Sequence, residues 1–285
     1  PLEALFRPAL VLMTGRLVGF VMAFAIPMVL ARVFDQSDFG TYKQLFLIFG
    51  TLFGIAQLGM AESLYYFLPS RQERGGHFVF NTLVTTGTLG LCSLLGLWLF
   101  RDDIAALMNN PALADLMLPV GLYLLFMLMA VVLEITMTIR RQFVAASCTY
   151  ALTDLARAIF YIIPVLLLAD LRALMLGAVV FALARLAATL IYVRREFSPE
   201  LKPDRQALVA QARYAVPFGV AGIILVIQAN YHLYAVSYAF DAATFAVYAV
   251  GCLQIPLTDY LVTSTGNVMM VSMRERLVAG DLPGA

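Results

Sequence analysis

The stretch LARVFDQSDFGTYKQLFLIFG, Leu30–Gly50, decides the fold because a degenerate copy of it returns near the C-terminus as YAFDAATFAVYAVGCLQIP, Tyr238–Pro256. The four identities are Phe34 with Phe240, Asp35 with Asp241, Phe39 with Phe245 and Tyr42 with Tyr248. Each copy holds the end of an apolar run, a turn with one Asp, a Phe-x-x-Tyr pair and a second apolar run. This repeat predicts a transporter built from two related halves; chance similarity between two membrane hairpins is the alternative.

The composition is that of an integral membrane protein. Of the 285 residues, 62% are hydrophobic and 13% charged, and the mean hydropathy is +0.86, whereas soluble domains have about 45–50% apolar and about 25% charged residues. The net charge is +1 and there is no Lys/Arg run, so we expect no nucleic-acid partner. Cys92, Cys148 and Cys252 lack metal-ligand spacing and lie in or beside apolar runs, so we interpret them as small packing residues.

Eight apolar runs are long enough to span a bilayer, which takes about 20 residues each. They are Ala9–Val33, Tyr42–Leu68, Phe78–Phe100, Leu116–Ile139, Ala146–Ala169, Ala173–Val193, Tyr214–Phe240 and Ala246–Met273. The runs lack the two-residue alternation of a barrel, and open strands do not cross lipid. The sequence therefore predicts an all-α, polytopic membrane helical bundle.

Orientation and domain organisation follow from the connections. With the N-terminus inside, twelve Lys and Arg residues fall in cytoplasmic segments and four outside, so both ends are expected in the cytoplasm. We expect a first six-helix lobe over residues 1–193, a cytoplasmic linker over 194–213, and the first two helices of a second lobe over 214–285. Among the outer connections, Arg101–Asp115 is long enough for a small interfacial helix.

Ionisable side chains inside spanning helices are expensive, about 2.5–3.5 kcal/mol each at the centre, and mark functional sites or ion pairs. The candidates here are Arg16, Glu62, Glu134, Asp154, Arg157, Arg185 and Asp259. Arg16 and Glu62 are expected ~10 Å and ~9 Å inside the same surface, where they can pair. Asp154 and Arg157 are three residues apart, on one helical face.

We predict that an inward-facing cavity binds an anionic head group. The predicted binding residues are Arg16, Arg157 and Arg185, with Glu62 and Asp154 as their resting partners. Candidate coupling residues are Glu134, Asp259, His232 and Asn230. The alternative is a set of structural ion pairs, with His232 as a hydrogen-bonded packing residue.

The sequence resembles the oligosaccharide flippases of the polysaccharide-export branch, within the superfamily that also holds multidrug/cation antiporters and the lipid II flippase. The resemblance rests on Leu30–Arg71, with its LAR, acidic-Phe-Gly-x-Tyr and Gln-Leu-Gly elements, and on Arg213–Tyr248, which looks like the family's seventh helix and following turn. The run TGRLVGF, Thr14–Phe20, is similar to the first helix of the lipid II flippase, where an Arg in the Arg16 position contributes to the head-group cavity.

The resemblance implies two six-helix lobes that alternate between inward and outward openings around a central cavity. The implied cargo is an undecaprenyl-pyrophosphate-linked oligosaccharide, flipped from the inner to the outer leaflet of the bacterial inner membrane. Membrane lipids and polysaccharide polymerase or export proteins are the other expected partners. The chain departs from the family in having Asn230–Tyr231 where an Asp–Arg pair is common, and in having eight spans rather than about twelve, so we expect it to be truncated.

Three other readings stay open from the sequence. A cation-coupled multidrug exporter of the same fold would favour an acidic, aromatic cavity over an Arg-bearing one. A non-transporting scaffold of an export assembly is a second alternative. A membrane enzyme acting on polyprenyl-phosphate sugars is disfavoured because there is no long polar loop, no metal-ligand cluster and no phosphate-binding Gly loop, and we expect no cofactor.

Overall fold

The computed structural model describes residues 2–70, 75–198 and 200–252, together with 265–266, 269–271 and 273. The side chains of residues 2–11, 14–16, 18 and 70 lie outside this description. The α-helices are α1 Leu2–Val33, α2 Gln36–Ala56, α3 Leu64–Ser70, α4 Gly75–Leu99, α5 Arg101–Leu107, α6 Met117–Ala130, α7 Val132–Ile139, α8 Phe143–Leu168, α9 Leu171–Phe197, α10 Arg205–Ala239 and α11 Ala242–Gly251. A 3₁₀ helix, Pro111–Leu116, precedes α6.

The predicted all-α membrane bundle is confirmed. Within the described residues, six helical segments are long and apolar enough to cross a membrane, and two shorter apolar helices lie at Gly19–Val33 and Ala242–Gly251. Each of these eight elements overlaps one of the eight apolar runs of the sequence, and most of the eighth run, Ala246–Met273, lies outside the described residues. The short helix α5 lies in the connection Arg101–Asp115, where a small interfacial helix was expected.

Aspartate side chains begin four of the helices. Asp35, Asp170, Asp204 and Asp241 precede α2, α9, α10 and α11, and each carboxylate accepts hydrogen bonds from backbone N–H groups of the first helical turn. This N-cap satisfies donors that have no partner inside the helix, and it favours negative charge at the positive end of the helix dipole. An Asp side chain therefore marks the start of each of these four helices.

The second span differs from the prediction. We expected one helix over Tyr42–Leu68, whereas α2 begins at Gln36 and ends at Ala56, residues 57–63 form turns, and α3 follows. The chain turns because Leu58 and Gly59 have positive φ angles of 45° and 69°. A Cβ atom at Gly59 would lie 2.7 Å from the carbonyl oxygen of Ala215 on α10, so the break is shaped by close backbone contact with that helix.

The core of the bundle comes from four helix pairs. Helix α1 packs along α8, α4 along α6, α6 along α9, and α8 along α9. The main hydrophobic cluster includes fully buried Leu30, Leu45, Leu113 and Leu174. Helices α10 and α11 attach to this bundle chiefly through α2, so α2 is the element on which the first and second parts of the chain meet.

The connection between α9 and α10 is bound to the start of α4. Helix α9 ends at Phe197 and α10 begins at Arg205, and the described residues between them are 198 and 200–204. The expected linker over 194–213 stays a prediction. Asn81 Nδ2 donates to the carbonyl oxygen of Asp204 over 3.0 Å, and His77 Nδ1 lies 2.8 Å from the carbonyl oxygen of Lys202. These contacts fix where α10 begins.

The two copies of the sequence repeat have the same local structure. Asp35 Oδ1 accepts from the N–H of Asp38, and Asp241 Oδ1 accepts from the N–H of Thr244, both at 2.8 Å. The backbone φ and ψ angles are −67° and 174° at Asp35, and −71° and 168° at Asp241. The repeat is therefore also a repeat of one capped helical turn.

Candidate functional site

The first candidate site is the ion pair of Asp154 and Arg157 on α8. Their carboxylate and guanidinium groups lie 2.7 Å apart, with 18% and 30% of the side chains exposed. This contact confirms the prediction from their three-residue spacing, which places the two side chains on neighbouring positions of one helical face. Both residues make further contacts with the surrounding chain.

Arg157 also lines a small cavity between α1, α2, α6 and α8. The cavity has a volume of about 150 Å³, and its walls are mainly apolar and aromatic. Its lining residues are Met22, Ala23, Ile26, Pro27, Tyr42, Phe46, Phe49, Tyr123, Arg157 and Tyr161. Arg157 is the one charged residue among these lining residues, so a single charged side chain lies in a wall that is otherwise apolar and aromatic.

The aromatic rings of this cavity are fixed to one another. Tyr161 donates its hydroxyl to that of Tyr123 over 2.8 Å, and the ring centroid of Phe46 lies 5.6 Å from that of Tyr161. Buried tyrosines need such a partner for their hydroxyl groups. The paired hydroxyls leave the cavity with a rigid aromatic lining beside Arg157.

Helix α1 approaches Asp154 closely at Gly19. A Cβ atom at Gly19 would overlap the Asp154 carboxylate, so the absence of a side chain is what brings the two helices together. Arg16 lies in α1, one turn before Gly19, but its side chain is outside the described residues. Its predicted pairing with Glu62 and its predicted head-group contact therefore stay predictions.

Arg185 is engaged by Glu134 from α7. One guanidinium nitrogen of Arg185 donates to both carboxylate oxygens of Glu134, each at 2.9 Å. Glu134 is 3% exposed and Arg185 is 16% exposed. A buried pair of this kind supports the alternative of a structural ion pair, and the roles of Arg185 in substrate binding and of Glu134 in coupling stay predictions.

Glu62 lies in the break between α2 and α3, not inside a spanning helix as expected. It lines a larger cavity of about 580 Å³ between this break, α10 and Met270 and Met273. The other lining residues are Gly54, Gln57, Gly59, Tyr65, Tyr66, Tyr214, Phe218, Gly219, Gly222 and Val226. This second cavity is thus acidic and aromatic, and none of its lining residues lines the Arg157 cavity.

The polar residues of α10 make local contacts. Asn230 Nδ2 donates to the carbonyl oxygen of Val226 on its own helix over 2.9 Å. His232 Nδ1 lies 3.0 Å from the Tyr248 hydroxyl on α11, a contact that supports its alternative reading as a hydrogen-bonded packing residue. Asp259 lies outside the described residues.

A buried polar network that the sequence analysis missed joins α2 to α10. Gln44 is fully buried, and its Nε2 donates to the carbonyl oxygen of Met108 over 3.0 Å and to Ser237 Oγ over 2.8 Å. Asn110 Nδ2 donates to Gln44 Oε1 over 2.6 Å and to Thr41 Oγ1 over 2.8 Å. The available signal was a glutamine within an apolar run, but its partners are 64 to 193 residues away.

A second polar contact holds the other end of α10. Gln211 is fully buried, and its Nε2 donates to Ser63 Oγ over 2.9 Å and to Thr82 Oγ1 over 2.7 Å. Gln211 and Ser237 are 26 positions apart, or about 39 Å along a helix. Helix α10 is therefore bound to the first bundle by one amide near each end, with the Glu62 cavity between them.

The sequence matches a known family over most of its length. A profile for the family described as polysaccharide biosynthesis protein matches residues 5–254. The chain belongs to this family. A search of curated proteins gives no significant match. The polysaccharide biosynthesis protein family is also the branch that the first hairpin of the sequence resembles.

A solved structure shares the fold. The structure titled "Crystal structure of MATE in complex with Br-NRF" superposes with a TM-score of 0.65 at 14% sequence identity, covering 99% of this chain and 69% of that one. The fold is thus MATE-like. Family and fold together describe this chain as a multi-pass membrane protein of the polysaccharide biosynthesis family.

Proposed function

We propose that the protein flips an undecaprenyl-pyrophosphate-linked oligosaccharide from the inner to the outer leaflet of the bacterial inner membrane, for surface polysaccharide export. Its N-terminus lies in the cytoplasm and transport follows alternating access. The polysaccharide biosynthesis family and the MATE-like fold support a transporter of this kind. Polysaccharide polymerase or other export proteins are its expected neighbours in the membrane.

The proposal rests on Arg157, the one charged residue in the wall of an aromatic cavity. Arginine binds phosphate groups through paired, charge-assisted hydrogen bonds, and it keeps its charge in the membrane. A pyrophosphate head group is therefore a suitable ligand for this site. The lipid tail stays in the bilayer, so translocation requires no covalent chemistry.

Asp154 is the proposed partner of Arg157 when no substrate is bound. Its carboxylate neutralises Arg157 at 2.7 Å, which limits the cost of keeping an arginine within the membrane when no substrate is bound. A bound pyrophosphate replaces this carboxylate as the partner of the guanidinium. The guanidinium thus has an anionic partner both with and without substrate.

A cell-based export assay tests the proposal. In a strain that lacks the gene, Arg157→Ala and Arg16→Ala are expected to abolish surface glycan export while membrane insertion stays normal. Arg172→Ala is the matched control, because Arg172 pairs with Asp115 at 2.9 Å with both side chains 68% exposed, and it should export normally. Normal export by the Arg157 and Arg16 variants would contradict the assignment.

The Glu62 cavity favours a second candidate, a cation-coupled multidrug exporter of the same fold. An exporter of organic cations is expected to use an acidic, aromatic cavity, and Glu62 lines one with Tyr66, Tyr214 and Phe218. Proton- or sodium-driven efflux of tetraphenylphosphonium that is lost in Glu62→Gln, with no effect of Arg157→Ala, would support this candidate over the flippase.

A further inference from the structure

The cavity beside Glu62 has the size and the wall chemistry of a small-molecule site. Its volume of about 580 Å³ is within the range of about 300–1,000 Å³ that ligand pockets occupy, and such pockets combine apolar and aromatic walls with a few polar groups. The polar side chains here are Glu62, which is exposed, and Gln57. Both belong to the turn region between α2 and α3.

Three aromatic rings form a continuous row along one wall. The rings of Tyr66 and Tyr214 stack with centroids 4.5 Å apart at 21°, and Phe218 follows Tyr214 at 5.2 Å and 36°. Phe218 is 63% exposed, so the row ends in a ring with an accessible surface. The row joins α3 to α10, and the ring of Phe218 at its end is the accessible aromatic surface.

The empty volume itself comes from glycine. A Cβ atom at Gly222 would have no neighbouring atom within 4 Å, because this position of α10 opens into the cavity. By contrast, a Cβ atom at Gly219 would lie 2.5 Å from the backbone of Leu58. Close backbone contact at Gly219 therefore holds the break against α10, while Gly222 leaves space beside that contact.

We infer that this cavity is a carbohydrate subsite that holds a sugar ring of the transported lipid-linked oligosaccharide. The inference rests on the proposed function and adds a binding site for the sugar, separate from the Arg157 cavity. A pyranose ring has apolar C–H faces that pack on aromatic rings, and hydroxyl groups that hydrogen-bond to carboxylate and amide groups. Glu62 and Gln57 supply those polar groups beside the aromatic row.

Two other occupants fit the walls less well. An acyl chain would desolvate the Glu62 carboxylate without offering it a hydrogen bond, which is costly. A quaternary organic cation can pack on the accessible ring of Phe218, but it has no donor or acceptor for the Gln57 amide. A sugar uses both the accessible aromatic surface and the two polar side chains.

Lipid binding by the purified full chain tests the inference directly. The probes are undecaprenyl pyrophosphate without sugar and the same lipid bearing glucose, galactose or N-acetylglucosamine, with affinity measured in lipid nanodiscs. The pocket-filling variant is Gly222→Leu. Gly96→Leu is its matched control, because a Cβ atom at Gly96 on α4 also has no neighbour within 4 Å and Gly96 does not line the cavity.

The wild type is expected to bind at least one sugar-bearing lipid more tightly than the sugar-free lipid. Gly222→Leu should lower the affinity for that sugar-bearing lipid by about tenfold or more. Glu62→Gln should lower it by about tenfold. The affinity for the sugar-free lipid should stay unchanged in both variants. Gly96→Leu should leave all affinities unchanged.

Other results overturn the inference. The first is a wild type that binds sugar-bearing and sugar-free lipids with equal affinity. The second is an equal loss of affinity for both lipids in Gly222→Leu. The third is that Gly222→Leu and Glu62→Gln lose tetraphenylphosphonium binding but keep their affinity for every lipid. Because the assay measures binding, it separates this inference from the proposed function. If the wild type binds the sugar-bearing lipid more tightly but translocates no lipid, flipping is refuted and the subsite is retained. If it translocates lipid without binding the sugar-bearing form more tightly, flipping is retained and the subsite is refuted.

Discussion

Gly40 of α2 lies directly against Ala242, the first residue of α11, so closely that a Cβ atom at Gly40 would overlap the Ala242 carbonyl oxygen. The two residues belong to the two copies of the sequence repeat. Gln36 Nε2 reinforces the contact by donating to the carbonyl oxygen of Ala243 over 3.1 Å. The copies are thus physical neighbours, and their capped turns form the contact between the first bundle and the hairpin that follows it.

Replacing Gly40 should separate α2 from α11. Gly40→Ala inserts a methyl group against backbone that cannot rotate away, and we expect a cost of about 1–3 kcal/mol from overpacking, measured as a lower thermal unfolding midpoint in detergent. Gly50→Ala on the same helix is the control, because a Cβ atom at Gly50 has no neighbour within 4 Å. Equal midpoints for the two variants would contradict the close contact.

The Asp35 cap should contribute measurably to stability. Asp35→Ala removes the acceptor for the N–H of Asp38 and is expected to cost about 1 kcal/mol, whereas Asp35→Asn retains most of the cap. Chemical denaturation of the helical signal measures both variants. A loss as large in Asp35→Asn as in Asp35→Ala would show that charge, not capping, is responsible.

The equivalent cap at Asp241 should be sensitive to acid. Hydrogen bonds from the side chain and the backbone of Thr244 lower the pKa of Asp241 below its usual value of 3.8. A lowered folded-state pKa gives stability that is present above the usual value and is lost as the pH falls through the folded-state pKa. Below pH 3.8 the wild type should therefore lose free energy of unfolding relative to Asp241→Asn, which has no carboxylate to protonate. The same difference in free energy of unfolding above and below pH 3.8 would contradict the cap.

The Arg185–Glu134 pair should behave as a unit. Because Glu134 is 3% exposed, Arg185→Met leaves a buried charge unpaired and is expected to cost about 3–5 kcal/mol, while Arg185→Met combined with Glu134→Gln should recover most of that loss. Thermal unfolding and surface glycan export are measured on all variants. A stable double variant that has lost export would instead support the predicted roles of these residues in substrate binding or coupling.

The amide of Gln44 should hold α10 in place. Gln44→Leu keeps the side-chain volume but leaves Asn110 and Ser237 without their buried partner, so we expect a loss of about 1–3 kcal/mol and faster amide exchange in the part of α10 near Ser237. Gln57→Leu is a useful comparison, because the Gln57 amide donates to the carbonyl oxygen of Phe53, four residues earlier in the chain, over 3.4 Å. Identical amide exchange near Ser237 in both variants would contradict the proposed role of Gln44.

Local signals in the sequence predicted the spans and the repeat well. Long apolar runs identify membrane helices because the backbone in lipid can form hydrogen bonds only with itself. The aligned residues Asp35 and Asp241 mark the caps that begin α2 and α11. The break at residues 57–63 was missed because its composition continues the apolar run. Gly59 was its only strong local mark, and the contact that shapes the break comes from α10.

The site was less predictable because pairing between helices depends on how each helix is rotated about its axis. The spacing within α8 was enough to predict that Asp154 and Arg157 are neighbours. Nothing local indicates that Arg185 meets Glu134, 51 positions earlier, or that Gln44 meets Ser237. The predicted pairing of Arg16 with Glu62 rests on their similar depth in the membrane. Depth alone does not determine which side chains face each other.

A leaflet-accessibility assay on vesicles containing the purified protein tests whether Arg157 carries the pyrophosphate head group across the membrane. It compares undecaprenyl-pyrophosphate-linked sugar with an uncharged polyprenyl-linked sugar, using wild type, Arg157→Ala and the control Arg172→Ala. We expect wild type and Arg172→Ala to move the pyrophosphate-linked lipid selectively and Arg157→Ala to move neither lipid. Translocation of neither lipid by the wild type, or of both lipids equally regardless of Arg157, would contradict it.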